Sequence, residues 1–142
     1  MEYLPAVEVE TSECPDSSVI WLHGLGADGN DFVPVVNELR LPDSFNIRFI
    51  FPHAPEMPVT INNGMIMRAW YDIVELEIDK RTDVEQLVAS SRQIERFIER
   101  EIDRGIASER IIIAGFSQGG AVAFETALSY GRRLGGLLAM SC

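Results

Sequence analysis

The sequence of 142 residues contains few cysteines, few basic residues and no long apolar run. Its two cysteines, Cys14 and Cys142, cannot build a disulfide framework, so we expect a reducing, cytoplasmic setting. The N-terminal residues MEYLPAVEVE lack the basic and apolar regions of a signal peptide. No apolar run approaches the about 18 residues that a membrane helix requires. We therefore predict neither secretion nor stable membrane insertion.

Basic residues are outnumbered by acidic ones, 12 against 22, which gives a formal net charge of -10. Nucleic acids and anionic lipids both attract basic surfaces, so this balance argues against either as a partner. The apolar content of 46% and charged content of 24% are those of an ordinary globular protein. A chain of this length forms one domain, and we assign residues 1–142 to it.

Predicted strands and helices alternate along the chain. The strands lie at residues 19–24, 45–51, 110–115 and 136–141, and the helices at 30–40, 82–104 and 118–131. Strands that are apolar on both faces and alternate with helices predict a mostly parallel sheet with helices on both faces. Residues 3–10 can add an antiparallel edge strand. The predicted fold class is therefore α/β.

Capping signals set the predicted bounds of the helices. Thr82 and Glu85 form a T-x-x-E capping box, and Gly105 supplies the C-terminal stop. Asn30 or Asp31 is the predicted N-cap of the first helix.

The stretch GFSQG, residues 115–119, matches G-x-S-x-G between a predicted strand and a predicted helix. This is the context of a nucleophile elbow, a sharp turn that presents a serine at the N-terminus of a helix. Small residues are needed where strand and helix approach each other, and Gly115, Gly119 and Gly120 meet that need. Ser117 is the predicted nucleophile. The alternative is a glycine-rich turn in which Ser117 only caps the helix.

A second glycine-rich loop, residues 22–29, follows the first predicted strand. The N–H of Leu25 can pair with that of Gln118 to form an oxyanion hole. The same loop contains G-x-G-x-x-G, the dinucleotide fingerprint. Three features weigh against nucleotide binding: Asp28 and Asp31 would face a pyrophosphate, no acidic residue follows about twenty residues on, and the predicted helix begins late.

Four blocks, VIWLHGLGADGNDF, PHAP, MRAWYDI and GFSQGGAVAFETAL, resemble the carboxylesterase and acyl-protein thioesterase (lysophospholipase-like) family of α/β-hydrolases. The resemblance runs from about residue 17 to the last residue. It implies an α/β-hydrolase fold and hydrolysis of carboxylic esters or thioesters, of small molecules or of acylated proteins. It also implies Ser117 as nucleophile, with Leu25 and Gln118 as oxyanion donors. We predict no cofactor and no metal site.

The segment at residues 52–73 is too long and irregular for an ordinary connection, and loops of this length are usually functional. Its methionines can fill irregular space and accommodate varied acyl chains. In the family that the chain resembles, this segment flanks the acyl-binding groove, so we predict Met65 and Trp70 as substrate-binding residues. The alternative is that these side chains pack the segment onto its own core.

The sequence after Ser117 contains no histidine and no aspartate. In α/β-hydrolases the acid and then the histidine follow the serine, and Glu125 lies on the helix that the elbow begins. His23 and His53 precede Ser117, so either one acting as general base would be a new arrangement. We therefore expect the N-terminal two thirds of such an enzyme, without the C-terminal strands and helix of the usual domain.

An apolar strand at residues 136–141 would then form an unpaired sheet edge. Such an edge favours a homodimer or pairing with another chain. A catalytically silent fragment that associates in this way is the alternative to a serine hydrolase.

Overall fold

The computed structural model describes residues 3–73 and 84–142. The described strands are β1 Ala6–Glu10, β2 Ser17–Leu22, β3 Ile47–Pro52, β4 Glu56–Val59, β5 Met65–Arg68, β6 Ile111–Phe116 and β7 Gly136–Met140. The described helices are α1 Val35–Glu38, α2 Val84–Asp103 and α3 Gln118–Ser129.

Five of the strands form one mostly parallel sheet in the order β1-β3-β2-β6-β7. Strands β3, β2, β6 and β7 run parallel to one another, and β1 pairs antiparallel with β3. The sheet confirms the predicted α/β class and the antiparallel edge strand. Because parallel strands end at the same edge, the loops after β2 and β6 lie side by side. Leu22 is opposite Gly115 at this edge.

Both faces of the sheet bury apolar side chains, as predicted for a sheet covered on both sides. Helices α2 and α3 pack on one face, and α1 with its preceding turns packs on the other. Each fully buried side chain of the size of valine, leucine, isoleucine or phenylalanine contributes about 1.5–3 kcal/mol to stability. The first face includes Ile20, Leu22, Ile50, Ile111, Ile113, Ile94, Phe97, Ile98 and Val122. The second includes Val19, Trp21, Phe49, Phe51 and Ala114 under Phe32, Val33, Val35 and Val36.

The first helix is shorter than predicted. It covers only Val35–Glu38, begins after Pro34 and has no side-chain cap, so Asn30 and Asp31 do not cap it. The backbone N–H of Asn30 instead bonds Asp28 Oδ1 at 2.8 Å, an Asx turn that competes with helix formation. Proline at position 34 also disfavours helical geometry in the residue before it.

The two longer helices agree with the predicted pattern except at their ends. Helix α2 ends before Gly105, whose φ of +97° only glycine adopts readily. Thr82 of the predicted capping box lies outside the described residues. Helix α3 ends at Ser129 rather than at residue 131, because Tyr130 is already extended.

A buried ion cluster joins α2 to the amino ends of the strands. Glu101 is fully buried and accepts hydrogen bonds from Ser18 Oγ at 2.6 Å, Arg48 Nη1 at 2.7 Å and Arg104 Nη1 at 3.0 Å. A buried carboxylate is tolerated only when its oxygens are paired in this way. The cluster fixes α2 at the end of the sheet opposite the loops that follow β2 and β6.

Strand β7 is the outer strand of the described sheet on the side of β6. Its Leu138 is 51% exposed, and Phe124 and Leu128 are exposed on the neighbouring α3. None of the described helices is long and apolar enough to cross a membrane.

Candidate active site

Ser117 lies at the turn between β6 and α3, in a conformation that is unusual for a residue with a side chain. Its φ is 56° and its ψ is -118°. The backbone N–H of Ser117 bonds the carbonyl oxygen of Met140 on β7 at 2.8 Å, which holds the turn in place. The partly exposed hydroxyl forms no capping hydrogen bond to α3. The structure therefore does not support the alternative of a serine that only caps the helix.

The glycines around Ser117 are required by close backbone approaches. A Cβ on Gly115 would lie 2.2 Å from the carbonyl oxygen of Gly119, and a Cβ on Gly119 would lie 2.4 Å from the carbonyl oxygens of Leu22 and His23. No side chain fits at such distances. The start of α3 is thus pressed against the end of β2, and this contact brings the loop after β2 to the serine.

The oxyanion loop, which consists of residues 23–27 and is named after the predicted donor Leu25, lies beside the turn. A Cβ on Gly24 would be 3.6 Å from Cβ of Ser117. Gly26 has a φ of +77°, and its N–H bonds the carbonyl oxygen of Arg68 on β5 at 2.9 Å. Within the described residues, the N–H groups of Leu25 and Gln118 have no hydrogen-bond acceptor. One N–H donor in the loop after β2 and one at the start of α3 are therefore available to an oxygen of a bound substrate.

His23 is buried, and both of its ring nitrogens form hydrogen bonds to the backbone. Its Nε2 accepts a bond from the N–H of Ala54 at 3.0 Å, so Nδ1 carries the proton and donates to the carbonyl oxygen of Gly24 at 2.7 Å. Burial lowers the pKa of His23, which favours this neutral form. Because both nitrogens are used, His23 has no lone pair for the proton of Ser117 in this structure.

The Gly24 carbonyl that His23 holds belongs to the same peptide unit as the N–H of Leu25. In a trans peptide these two groups point in opposite directions. Holding the carbonyl of Gly24 on the buried side therefore directs the N–H of Leu25 away from the core.

Gln118 is 3% exposed, and its side chain is anchored by two backbone groups. Oε1 accepts a bond from the N–H of Trp70 at 2.7 Å, and Nε2 donates to the carbonyl oxygen of Tyr71 at 2.6 Å. Trp70 in turn donates from Nε1 to the carbonyl oxygen of His23 at 2.8 Å. Trp70 is fully buried, so its predicted contact with substrate does not fit its position: the ring has no surface to offer and packs 5.2 Å from that of His23.

The segment predicted to be irregular contains a regular β-hairpin, formed by antiparallel pairing of β4 and β5. Met65 on this hairpin is 65% exposed and Ile66 is 68% exposed, so both offer apolar surface. Met67, which the sequence did not single out, lies nearer the oxyanion loop. Its Sδ is 3.7 Å from the position of a Cβ on Gly26. No local signal separates Met67 from Met65, because both belong to one short strand.

His53 also supports the loop after β2. Its Nδ1 accepts a bond from the N–H of Gly29 at 2.9 Å, and a Cβ on Gly29 would collide with the carbonyl oxygen of Phe51 at 2.3 Å. The loop is thus held at Gly24 by one histidine and at Gly29 by the other. This use of the glycines is structural and differs from a dinucleotide fingerprint, in which they approach a pyrophosphate.

Away from Ser117, the described surface contains a cavity but no group of metal ligands. A cavity of about 460 Å³ lies at the opposite end of the parallel strands, where Ser18, Asn46, Arg110 and Gly135 contribute to its wall. It is remote from the turn at Ser117. Among residues 3–73 and 84–142, no three His, Cys, Asp or Glu side chains are grouped so that they could hold a metal ion.

Comparison with known proteins places this arrangement in a family. The model of the phospholipase/carboxylesterase family matches residues 5–142. The chain is 40% identical over 139 residues to acyl-protein thioesterase 1 of Yarrowia lipolytica, covering 96% of this chain and 61% of that protein. It is 37% identical over 142 residues to acyl-protein thioesterase 1 of Cryptococcus neoformans, covering 97% of this chain and 59% of the relative.

Solved structures support the same family assignment. SOBER1 of Arabidopsis thaliana superposes with a TM-score of 0.82 at 34% identity, covering 87% of this chain and 60% of the other. Acyl-protein thioesterase 2 of Zea mays gives a TM-score of 0.71 at 28% identity, with 88% and 51% covered. The chain thus spans about 60% of the length of the curated relatives that it matches. Its fold is that of an α/β-hydrolase, and the chain belongs to the phospholipase/carboxylesterase family.

Proposed function

We propose that this chain carries the nucleophile and the oxyanion donors of a serine hydrolase that cleaves carboxylic esters or thioesters. The observation that carries the proposal is the backbone of Ser117, with a φ of 56° and a hydroxyl that does not cap the helix. Glycine would adopt this conformation with less strain, so a serine here needs another reason. Presenting a hydroxyl near two N–H groups that have no acceptor among residues 3–73 and 84–142 is such a reason.

The chemistry follows from the positions of these groups. Ser117 Oγ forms a bond to the acyl carbon, and an electron pair of the carbonyl double bond moves onto its oxygen. The N–H groups of Leu25 and Gln118 stabilise that charge. The serine proton goes to a histidine base. The electron pair on the oxygen then re-forms the carbonyl as the bond to the leaving oxygen or sulfur breaks, and the histidine gives its proton to that atom. Water releases the acyl group from Ser117 by the same two steps. We propose that this histidine and its aspartate belong to polypeptide outside residues 1–142.

We further propose that the acyl group comes from a protein thioester or from a small-molecule ester. The names of the fungal relatives support the first source, and the same acyl-enzyme chemistry serves the second. The exposed side chain of Met65 offers apolar surface along which an acyl chain can lie. The two free, exposed cysteines fit a cytoplasmic setting.

The test is covalent labelling with an alkyl fluorophosphonate, in which the serine oxygen displaces fluoride. Intact mass and peptide mapping locate the adduct. We expect labelling of Ser117 that is slow for the chain alone and faster when the remaining part of a relative's sequence is supplied. Ser117→Ala should abolish the adduct, whereas Ser44→Ala, at an exposed serine, should leave it unchanged. Failure to label Ser117 with the second polypeptide present would refute the assignment.

A second candidate function is an associating module without activity of its own. It is favoured by the outer position of β7, whose Leu138 is half exposed, because unpaired strand edges recruit further strands. Sedimentation velocity over a range of concentrations tests it. We expect a self-associating species that Leu138→Lys weakens and Leu128→Lys, on the neighbouring helix, does not. A wild-type chain that stays monomeric at all concentrations would exclude self-association.

A further inference from the structure

The side chain of Gln118 connects the two halves of the proposed oxyanion hole. Its backbone N–H is one proposed donor, and its carboxamide is bonded to Trp70 and Tyr71, 48 and 47 residues away in the chain. The amide donates one bond and accepts one, both at 2.7 Å or less, so it is held in one orientation. A side chain fixed at its far end also restrains its own backbone.

Trp70 extends this connection to the other donor. Its backbone N–H bonds Gln118, and its indole Nε1 bonds the carbonyl oxygen of His23. The ring of His23 then holds the carbonyl of Gly24, the peptide unit that carries the N–H of Leu25. A series of hydrogen-bonded residues therefore leads from Gln118 through Trp70 and His23 to the peptide unit that carries the N–H of Leu25. Ser90 Oγ donates to the carbonyl oxygen of Trp70 at 2.5 Å and anchors the series to α2.

We propose that the carboxamide of Gln118 is a positioning residue that sets the spacing between the two oxyanion donors. The inference rests on the proposed function, because it assigns a purpose to these two N–H groups. The carboxamide touches no reacting atom. It acts through Trp70, which explains why a fully buried tryptophan lies next to the site.

The test uses rates of fluorophosphonate labelling, divided into the affinity for the probe and the maximal rate of adduct formation. Gln118→Met keeps the length of the side chain and removes both hydrogen bonds. We expect the maximal rate to fall by about 10- to 100-fold, since a shift of about 1 Å near reacting groups can cost about 100-fold. Probe affinity should change little.

Gln86→Met is the matched control. Gln86 on α2 also accepts a backbone hydrogen bond from the same segment, from the N–H of Asp72 at 2.6 Å. This variant should keep the maximal rate within about twofold. If Gln118→Met does not fold, Trp70→Phe tests the same series at Trp70 by removing the indole N–H together with part of the buried ring, and a slower maximal rate is again expected.

A second measurement does not depend on the base. The ³¹P chemical shift of the phosphonyl adduct on Ser117 reports hydrogen bonds to the phosphoryl oxygen. We expect it to move toward the value of the unfolded adduct in Gln118→Met and to stay constant in Gln86→Met. An unchanged rate and shift in Gln118→Met would overturn the inference while leaving the proposed function intact. Absence of any label on Ser117 of the wild-type chain with the second polypeptide present would instead reject the proposed function.

Discussion

Replacing Gly119 by alanine tests the contact that brings β2 and α3 together at Ser117. A Cβ at this position would lie 2.4 Å from two backbone carbonyl oxygens, those of Leu22 and His23. Ordinary contact begins at 3.4 Å, so strand and helix must separate by about 1 Å. Neither atom belongs to a flexible side chain that could turn aside.

Two effects of opposite sign determine the stability of Gly119→Ala. Alanine is favoured over glycine within a helix by about 1 kcal/mol, whereas overpacking of rigid surroundings costs about 1–3 kcal/mol and sometimes more. We expect a net loss of up to about 2 kcal/mol. The separation also moves the N–H of Gln118 away from the oxyanion loop, so labelling of Ser117 should slow by about 100-fold.

Urea unfolding and the labelling rate measure the two consequences separately. Gly131→Ala is the control, because a Cβ at Gly131 has nothing within 4 Å. It should unfold within about 0.5 kcal/mol of the wild type and label at the same rate. Equal stability and equal labelling of Gly119→Ala and Gly131→Ala would refute the reasoning, since the close approach would then have no consequence.

Three further predictions concern stability and substrate binding. Glu101→Ala leaves Arg48 without its buried partner and should cost about 3–5 kcal/mol in urea unfolding; a loss below 1 kcal/mol would contradict this. Because burial lowers the pKa of His23, the unfolded chain binds more protons than the folded chain does. The free energy of unfolding should therefore be highest above the ordinary histidine pKa of 6.5 and should fall as the pH drops below it. This slope should weaken in His23→Gln. Met65→Glu should reduce affinity for long-chain fluorophosphonates but not for short ones, without changing stability; equal loss for both would count against an acyl surface.

The parts of the molecule that follow local periodicity were predictable from the sequence. The helix at residues 84–103 and the strand at residues 111–116 each repeat one apolar pattern, and each lies close to its predicted bounds. The turn at Ser117 was also predictable, because G-x-S-x-G places glycines at positions 115 and 119, where the backbones approach too closely for a side chain. The length of the first helix was overestimated, because the side chain of Asp28 accepts a hydrogen bond from the backbone N–H of Asn30 and forms a turn where a helix was predicted.

The polar contacts that depend on distant partners were not predictable in the same way. Glu101 is a charged residue on a helix, a position normally assigned to solvent, and its partners Ser18 and Arg48 lie 83 and 53 residues away. The side chain of Gln118 is a similar case. Its neighbours in sequence indicated a role for its backbone N–H, but the bonds of its carboxamide arise only when the Trp70 segment packs against the elbow.

The outer strand and Ser117 are directly connected by a hydrogen bond, although the two functional hypotheses treat them separately. The N–H of Ser117 is held by the carbonyl oxygen of Met140, the last residue of β7. A polypeptide that pairs with the outer edge of β7 would restrain this strand, and restraint of Met140 acts directly on the backbone of Ser117. Association through β7 and the reactivity of Ser117 should therefore change together. Leu138→Lys, which opposes pairing at this edge, should lower both the associated fraction and the gain in labelling rate on adding the second polypeptide. If it weakens association and leaves that gain unchanged, the strand and the nucleophile are independent.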